Sequence, residues 1–169
     1  MLSLRDPGPE LRGKADSLYL AAFPEHERIP LEVLHRAHDR GGLRYRCIMD
    51  DDGFVGICCT IETSDILYVV YLAVDGSRRS GGYGTRTLSL LKSSGRRIFL
   101  NIEPAVPGCE NYGKRVRRRG FYMRNGFSEH GLLDAPDGNT YMVMTANGDV
   151  SDSEIMAIYG GSFLSDGKQ

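Results

Sequence analysis

Nine consecutive residues, Ile66 to Val74, are all apolar or aromatic, and they run straight into a turn made almost wholly of Gly, Ser and Arg. A stretch that is apolar at odd and even positions alike suits a central strand covered on both faces. The turn, Asp75-Gly76-Ser77-Arg78-Arg79-Ser80-Gly81-Gly82-Tyr83-Gly84, then passes into a helical pattern that carries Leu88 and Leu91. A strand that stops, presents consecutive backbone N–H groups at a helix start and adds cations is a phosphate cradle. Gly81, Gly82 and Gly84 lack Cβ, so a ligand can approach their backbone closely. Arg78 and Arg79 add charge-assisted contacts to phosphate oxygens. No Gly-Lys-Ser/Thr follows, which excludes a Walker loop. No acidic residue ends a next parallel strand at the distance a dinucleotide fingerprint needs.

The rest of the chain frames that strand. At 169 residues it fits one domain with a real core. A net charge of −1 provides no overall basic field for nucleic acid. The apolar runs are too short to cross a membrane, and the N-terminus has no signal-peptide core; a cytoplasmic protein is expected. Cys47, Cys58, Cys59 and Cys109 show neither CxxC spacing nor a metal-ligand grouping, so reduced thiols and no metal are expected. Leu11, Ala15, Leu18 and Ala22 mark a helix after Pro9, and a short helix starts near Pro30. Leu43 to Met49 and Phe54 to Ile61 alternate as a hairpin around Asp50-Asp51-Asp52-Gly53. Helices are predicted from about Gly82 to Ser93 and from Glu110 to Arg124, the second with Tyr112, Val116, Gly120 and Met123 on one stripe. Strands are predicted over Arg97–Ile102, Phe127–Leu133 and Thr140–Thr145. Ser151, with Glu154 three residues on, forms a capping box for a helix within Ser151 to Phe163. The order is β-α-α-β-β-β-α-β-α-β-β: one α+β domain over 1–150, then a helical segment and tail over 151–169.

Three stretches in that order resemble the GCN5-related N-acetyltransferase (GNAT) superfamily. Tyr71-Leu72-Ala73-Val74-Asp75 followed by Arg79-Ser80-Gly81-Gly82-Tyr83-Gly84 is similar to the family's acyl-CoA signature, Arg/Gln-x-x-Gly-x-Gly/Ala. Leu100-Asn101-Ile102-Glu103-Pro104 looks like its fifth strand and the end of it. Arg118-Arg119-Gly120-Phe121-Tyr122-Met123-Arg124-Asn125-Gly126-Phe127 looks like its Tyr-x-x-x-Gly-Phe segment. The resemblance covers roughly residues 43 to 146. It implies a mixed, mostly antiparallel central sheet flanked by helices and splayed between the fourth and fifth strands. It also implies acetyl-CoA as cosubstrate and direct transfer of the acetyl group to a primary amine of a small molecule or peptide. The alternative is a non-catalytic acyl-CoA-binding sensor or regulatory module on the same fold. A plain nucleotide-phosphate binder is a third reading.

By this resemblance, Leu72, Ala73 and Val74 pair with the pantetheine arm. Arg79, Ser80, Gly81, Gly82, Tyr83, Gly84 and Thr85 hold the pyrophosphate, and Asn111 is a further pantetheine contact. Tyr122 is the general-acid candidate: a phenol with a reference pKa of about 10 suits a thiol leaving group. Glu103, where Pro104 stops a strand beside the cradle strand, is the general-base candidate. Glu25 and Glu27, in the segment between the first two helices, are rivals and candidate substrate-binding groups. Lys114 to Arg119 form a basic run, read as a solvated helix face or a contact for CoA phosphate. A nucleophilic Cys109 requires a base beside it, with His130 the candidate. The acidic loops favour a cationic amine. A monomer and a homodimer are both compatible with the sequence.

Overall fold

The computed structural model describes residues 1–51 and 53–161. Asp52 of the predicted turn, and the end of the predicted C-terminal helix from Ser162 on, lie outside the described residues. The elements are β1 (Ser3–Arg5), α1 (Pro9–Ala22), α2 (Leu31–Asp39), β2 (Arg44–Asp50), β3 (Gly53–Glu62), β4 (Ile66–Val74), α3 (Tyr83–Lys92), β5 (Arg97–Ile102), α4 (Tyr112–Arg124), β6 (Ser128–Asp134), β7 (Thr140–Ala146) and α5 (Asp152–Tyr159). Single 3-10 turns occupy Glu25–Glu27 and Gly76–Arg78.

All seven strands join one sheet in the order β1-β2-β3-β4-β5-β7-β6. Every neighbouring pair is antiparallel except β4 and β5. That parallel pairing is short: Ile66 to Val69 meet Arg97 to Leu100, and there it ends. Beyond it β4 stays paired with β3 as far as Val74, while β5 stays paired with β7 as far as Ile102. The two halves of the sheet therefore splay apart at the C-terminal ends of β4 and β5.

The sheet buries both faces. One face packs with α1, α2 and α5 around Ala15, Tyr19, Leu34, Tyr45 and Ile155. The other packs with α3 and α4 around Val69, Leu88, Leu91, Ile98 and Tyr122. The adjacent Cys58 and Cys59 fall into opposite clusters, as alternation along β3 requires. In α1, Pro9 stands at the helix start and Ala15, Leu18 and Tyr19 are buried at helical spacing. At the start of α5 the Ser151–Glu154 capping box is formed in both directions.

Two irregularities in β4 give the splayed region its shape. Cys59 pairs with Tyr71 and Thr60 with Val69, so Val70 is an extra residue, a β-bulge. Val69 packs into the α3/α4 cluster, whereas Val70 and Tyr71 both pack toward the α1/α2/α5 cluster. Leu72 then returns to the α3/α4 side. The second irregularity is a close approach. Gly56 of β3 lies so near β4 that a Cβ there would sit 2.2 Å from the Ala73 carbonyl oxygen.

The stripe predicted on α4 does not face the core. Tyr112 and Val116 are each 40% exposed and Met123 is 46% exposed. The residues of α4 that meet the core are instead Phe121 and Tyr122, of which only Tyr122 is buried. Only the C-terminal half of α4 packs on the core, and Arg117, Arg118, Phe121 and Tyr122 also border a cleft.

Candidate active site

The strand-to-helix turn takes the conformation the glycines permit. Asp75 accepts hydrogen bonds from the backbone N–H and the hydroxyl of Ser77, which sets the 3-10 turn. Ser80 and Gly82 both have positive φ, 68° and 73°, and Gly82 is the N-cap of α3. A Cβ on Gly82 would meet nothing within 4 Å, so the space above it is open. A Cβ on Gly84 would lie 2.9 Å from the Phe121 ring, so the glycine also lets α4 close on α3. The Arg78 guanidinium donates to the Tyr83 hydroxyl at 3.0 Å, and Arg86 lies 5.0 Å from the Tyr83 ring centroid.

Over this turn lies a cleft of about 660 Å³. Leu72 and Val74 form one wall, Arg79, Ser80, Gly82, Tyr83, Gly84 and Thr85 the floor, and Arg117, Arg118, Phe121 and Tyr122 the far wall. Ala73 and Gly81 belong to the same segments, but their side-chain positions turn elsewhere: Ala73 packs toward the α1/α2/α5 cluster, and Gly81 packs on the Tyr83 ring. Asn111 caps α4 in a left-handed conformation (φ 59°) and borders neither this cleft nor the next. The cleft suits a long ligand with a phosphate end. It has backbone N–H groups at a helix start, nearby guanidinium groups and the free edge of β4 from Val70 on.

A second cleft, of about 310 Å³, opens on the opposite side of the splay. Val70 and Tyr71 of the bulge, Asn101 and Ile102 of β5, and Glu27 and Glu103 are among its walls. The segment between α1 and α2 is tied down by tyrosine hydroxyls. Tyr71 donates to the Glu27 carbonyl at 2.8 Å and accepts from the Ile29 N–H at 3.1 Å, while Tyr19 donates to the Ile29 carbonyl at 2.8 Å. These bonds bring the Glu27 carboxyl within hydrogen-bonding reach of Glu103. Burial, and then the like charge of Glu103, push Glu27 above the usual carboxylate range. Glu103 is in turn held by the Arg115 guanidinium at 2.5 Å, which also donates to the Pro104 carbonyl at 3.1 Å. Glu25 is exposed and does not line the cleft.

Arg118 lines both clefts. Burial pushes the Tyr122 phenol above its ordinary value, and Arg118, within hydrogen-bonding reach, opposes that shift. The basic run of α4 is thus divided among tasks: Arg115 holds Glu103, Arg119 pairs with Glu129, and Arg117 and Arg118 border the cleft over the strand-to-helix turn. The sequence marked the run but offered no reason to single out Arg118. The signal was its position, four residues before Tyr122 on the same helical face. His130 does not serve Cys109: its two ring nitrogens face Asp149 at 2.9 Å and Asp152 at 2.5 Å. Among the described residues, no His, Cys, Asp or Glu cluster is arranged to hold a metal ion, and no helix is long and apolar enough to cross a membrane.

No protein-family model matches the chain, and no curated protein does. Solved structures do. A protein from Bacteroides thetaiotaomicron assigned to the GNAT family of acetyltransferases aligns over 94% of this chain and 93% of its own, with 27% identity and a TM-score of 0.74. An aminoglycoside 6'-N-acetyltransferase crystallised with coenzyme A aligns over 90% of this chain and 99% of its own, with 19% identity and a TM-score of 0.64. The ribosomal-protein-S18-alanine N-acetyltransferase of Escherichia coli aligns over 90% and 97%, with 14% identity and a TM-score of 0.60. The last two are alike in fold alone. With its seven-stranded, mostly antiparallel sheet, the parallel β4–β5 pair that splays, and the Gly- and Arg-rich turn between β4 and α3, the chain has the fold of the GCN5-related N-acetyltransferase superfamily and is similar to its members.

Proposed function

We propose that this protein is an acetyl-CoA-dependent N-acetyltransferase that moves the acetyl group directly to a primary amine. The observation that carries the reading is the meeting of two clefts at the splay, one with a phosphate cradle and one with paired carboxylates, with Arg118 bordering both. Acetyl-CoA, when bound, supplies the acetyl group as a thioester. The cradle from Arg79 to Thr85 binds the phosphates through backbone N–H groups and guanidinium charge. The β4 edge at Leu72 to Val74 offers main-chain groups to the arm of the donor.

The acceptor reaches the carbonyl carbon from the other cleft, where the Glu27–Glu103 pair takes the ammonium proton. Glu27 is the better base of the two, because its raised pKa lies closer to neutrality and Arg115 already engages Glu103. The nitrogen bonds to the carbonyl carbon; as the carbon–sulfur bond breaks, Tyr122 gives its proton to the leaving thiolate, and the second proton lost from the nitrogen restores the phenol. Its burial keeps the phenol protonated for that role. Asn111 and Glu25, both away from the clefts, are not assigned a role.

Two measurements test this. Acetyl-CoA should raise the melting temperature, since a ligand that binds only the native state stabilises it. Tyr122→Phe should lower kcat about 100-fold while leaving the KM for acetyl-CoA within about twofold. A melting curve unmoved by millimolar acetyl-CoA would overturn the reading. Binding without turnover of any amine, in either form, would favour a sensor module instead.

A further inference from the structure

The acceptor cleft also carries information on what kind of amine it takes, and this inference rests on the function proposed above. Its polar atoms are of two sorts. Those of the inner wall are already engaged with one another. The Asn101 amide donates to the Tyr68 hydroxyl at 3.2 Å and accepts from the Tyr159 hydroxyl at 2.9 Å. The Tyr71 hydroxyl is used by Glu27 and Ile29, and the Tyr141 hydroxyl donates to Asp137 at 2.6 Å. What remains on that wall is ring face and aliphatic surface: Phe23, Ile61, Tyr68, Val70 and Ile158. The second sort is ionic: the carboxylates Glu27, Glu103 and Asp137, with Arg28 and Arg118 in the same lining. Glu103 is already taken by Arg115, so Glu27 and Asp137 are the carboxylates left to face an ammonium, beside His26, Arg28 and Arg118.

We infer that the acceptor is a small primary monoamine on an apolar or aromatic body, and neither a polyhydroxylated polyamine nor a peptide terminus. A sugar-like acceptor would bring many hydroxyls against a wall that is mostly ring face and aliphatic surface, where a buried hydroxyl left without a partner is penalised. A peptide meets the same obstacle with its amide groups. A polycation would bring its further charges against Arg28 and Arg118. The volume, about 310 Å³, is at the small end for ligand pockets and suits a body of one or two rings.

The test compares 2-phenylethylamine, spermidine, kanamycin and an alanine-initiated hexapeptide in a thiol-release assay on the full chain at saturating acetyl-CoA. The kcat/KM for 2-phenylethylamine should exceed each of the others at least tenfold. Calorimetry with CoA present should show 2-phenylethylamine binding with a negative heat-capacity change. Phe23→Ser should lower its kcat/KM about tenfold; an unchanged acetyl-CoA melting shift certifies that this variant is folded. Equal or greater kcat/KM for spermidine, kanamycin or the peptide overturns the inference, as does acetyl-CoA binding without 2-phenylethylamine binding or turnover. Failure of the melting shift in the unsubstituted protein overturns the function proposed above, and this inference with it.

Discussion

Arg118 is the residue whose removal is most informative, because it stands between two titrating groups. Its positive charge opposes the upward shift of Glu27 and that of Tyr122. Arg118→Gln removes that opposition, so both pKa values rise further. For the proposed base the sign is plain. Glu27 must be ionised to act, so the acidic limb of the kcat/KM profile should move to higher pH. Because the guanidinium is exposed, the displacement should shrink at high salt. A profile that stays in place while kcat falls would show that Arg118 acts only by contact. The same residue shows where sequence reasoning stopped. Lys114 to Arg119 stood out as a run of charge, but only the fold separates the arginine that borders both clefts from those that pair with Glu103 and Glu129.

At the scale of elements, two glycines make a matched experiment. Gly56 is blocked by backbone: a Cβ would stand 2.2 Å from the Ala73 oxygen and 3.0 Å from Val74 Cα, atoms that cannot yield without moving β4. Gly56→Ala should destabilise by about 3 kcal/mol and weaken acetyl-CoA binding, because the displaced strand edge is the one proposed to hold the donor. Gly84 is blocked only by the end of the Phe121 ring, which can turn. It also lies in α3, where Ala is the better helix former, so Gly84→Ala should stay within about 1 kcal/mol of the unsubstituted protein. Urea denaturation checks both, and equal losses would overturn this account. Strands were legible where the apolar run marked its own ends: β4 and β5 keep their predicted bounds, although nothing in the sequence marks the bulge at Val70. The inner face of α4 was not, because periodicity assumes that apolar residues point inward. There Phe121 and Tyr122 meet the core, and Tyr112, Val116 and Met123 are left outside. The cradle could be read from its glycines and arginines. The carboxylate pair could not, since Glu27 and Glu103 meet only through the tyrosine bonds that place the segment between α1 and α2.

For the molecule as a whole, we treat α5 as part of the same folding unit as the sheet rather than as an appendage. Ile155 is fully buried and Ile158 is 6% exposed, both in the cluster that holds α1 and α2. Tyr159 reaches the inner wall of the acceptor cleft through Asn101. Arg97 of β5 binds Glu154 at 2.6 Å, anchoring the helix to the sheet. Removing residues 151–169 should therefore cost about 4 kcal/mol or more and lower affinity for the acceptor amine even where the protein still folds. Thermal unfolding of the truncated chain, with and without acetyl-CoA, would check this. A truncated chain that melts like the full one would mean that the sheet is complete without α5. The bulge at Val70 has a consequence of its own. A strand is read in twos, like a code with a two-letter frame, and one extra residue shifts the frame for everything downstream. Here the shift falls at the doorway between the clefts, so Val69 is read in one frame and Leu72 in the other. Substitutions in β4 change single letters. A change of length by one residue would exchange which cleft each later side chain serves. The number of residues in this strand is therefore held more tightly than the identity of most of them.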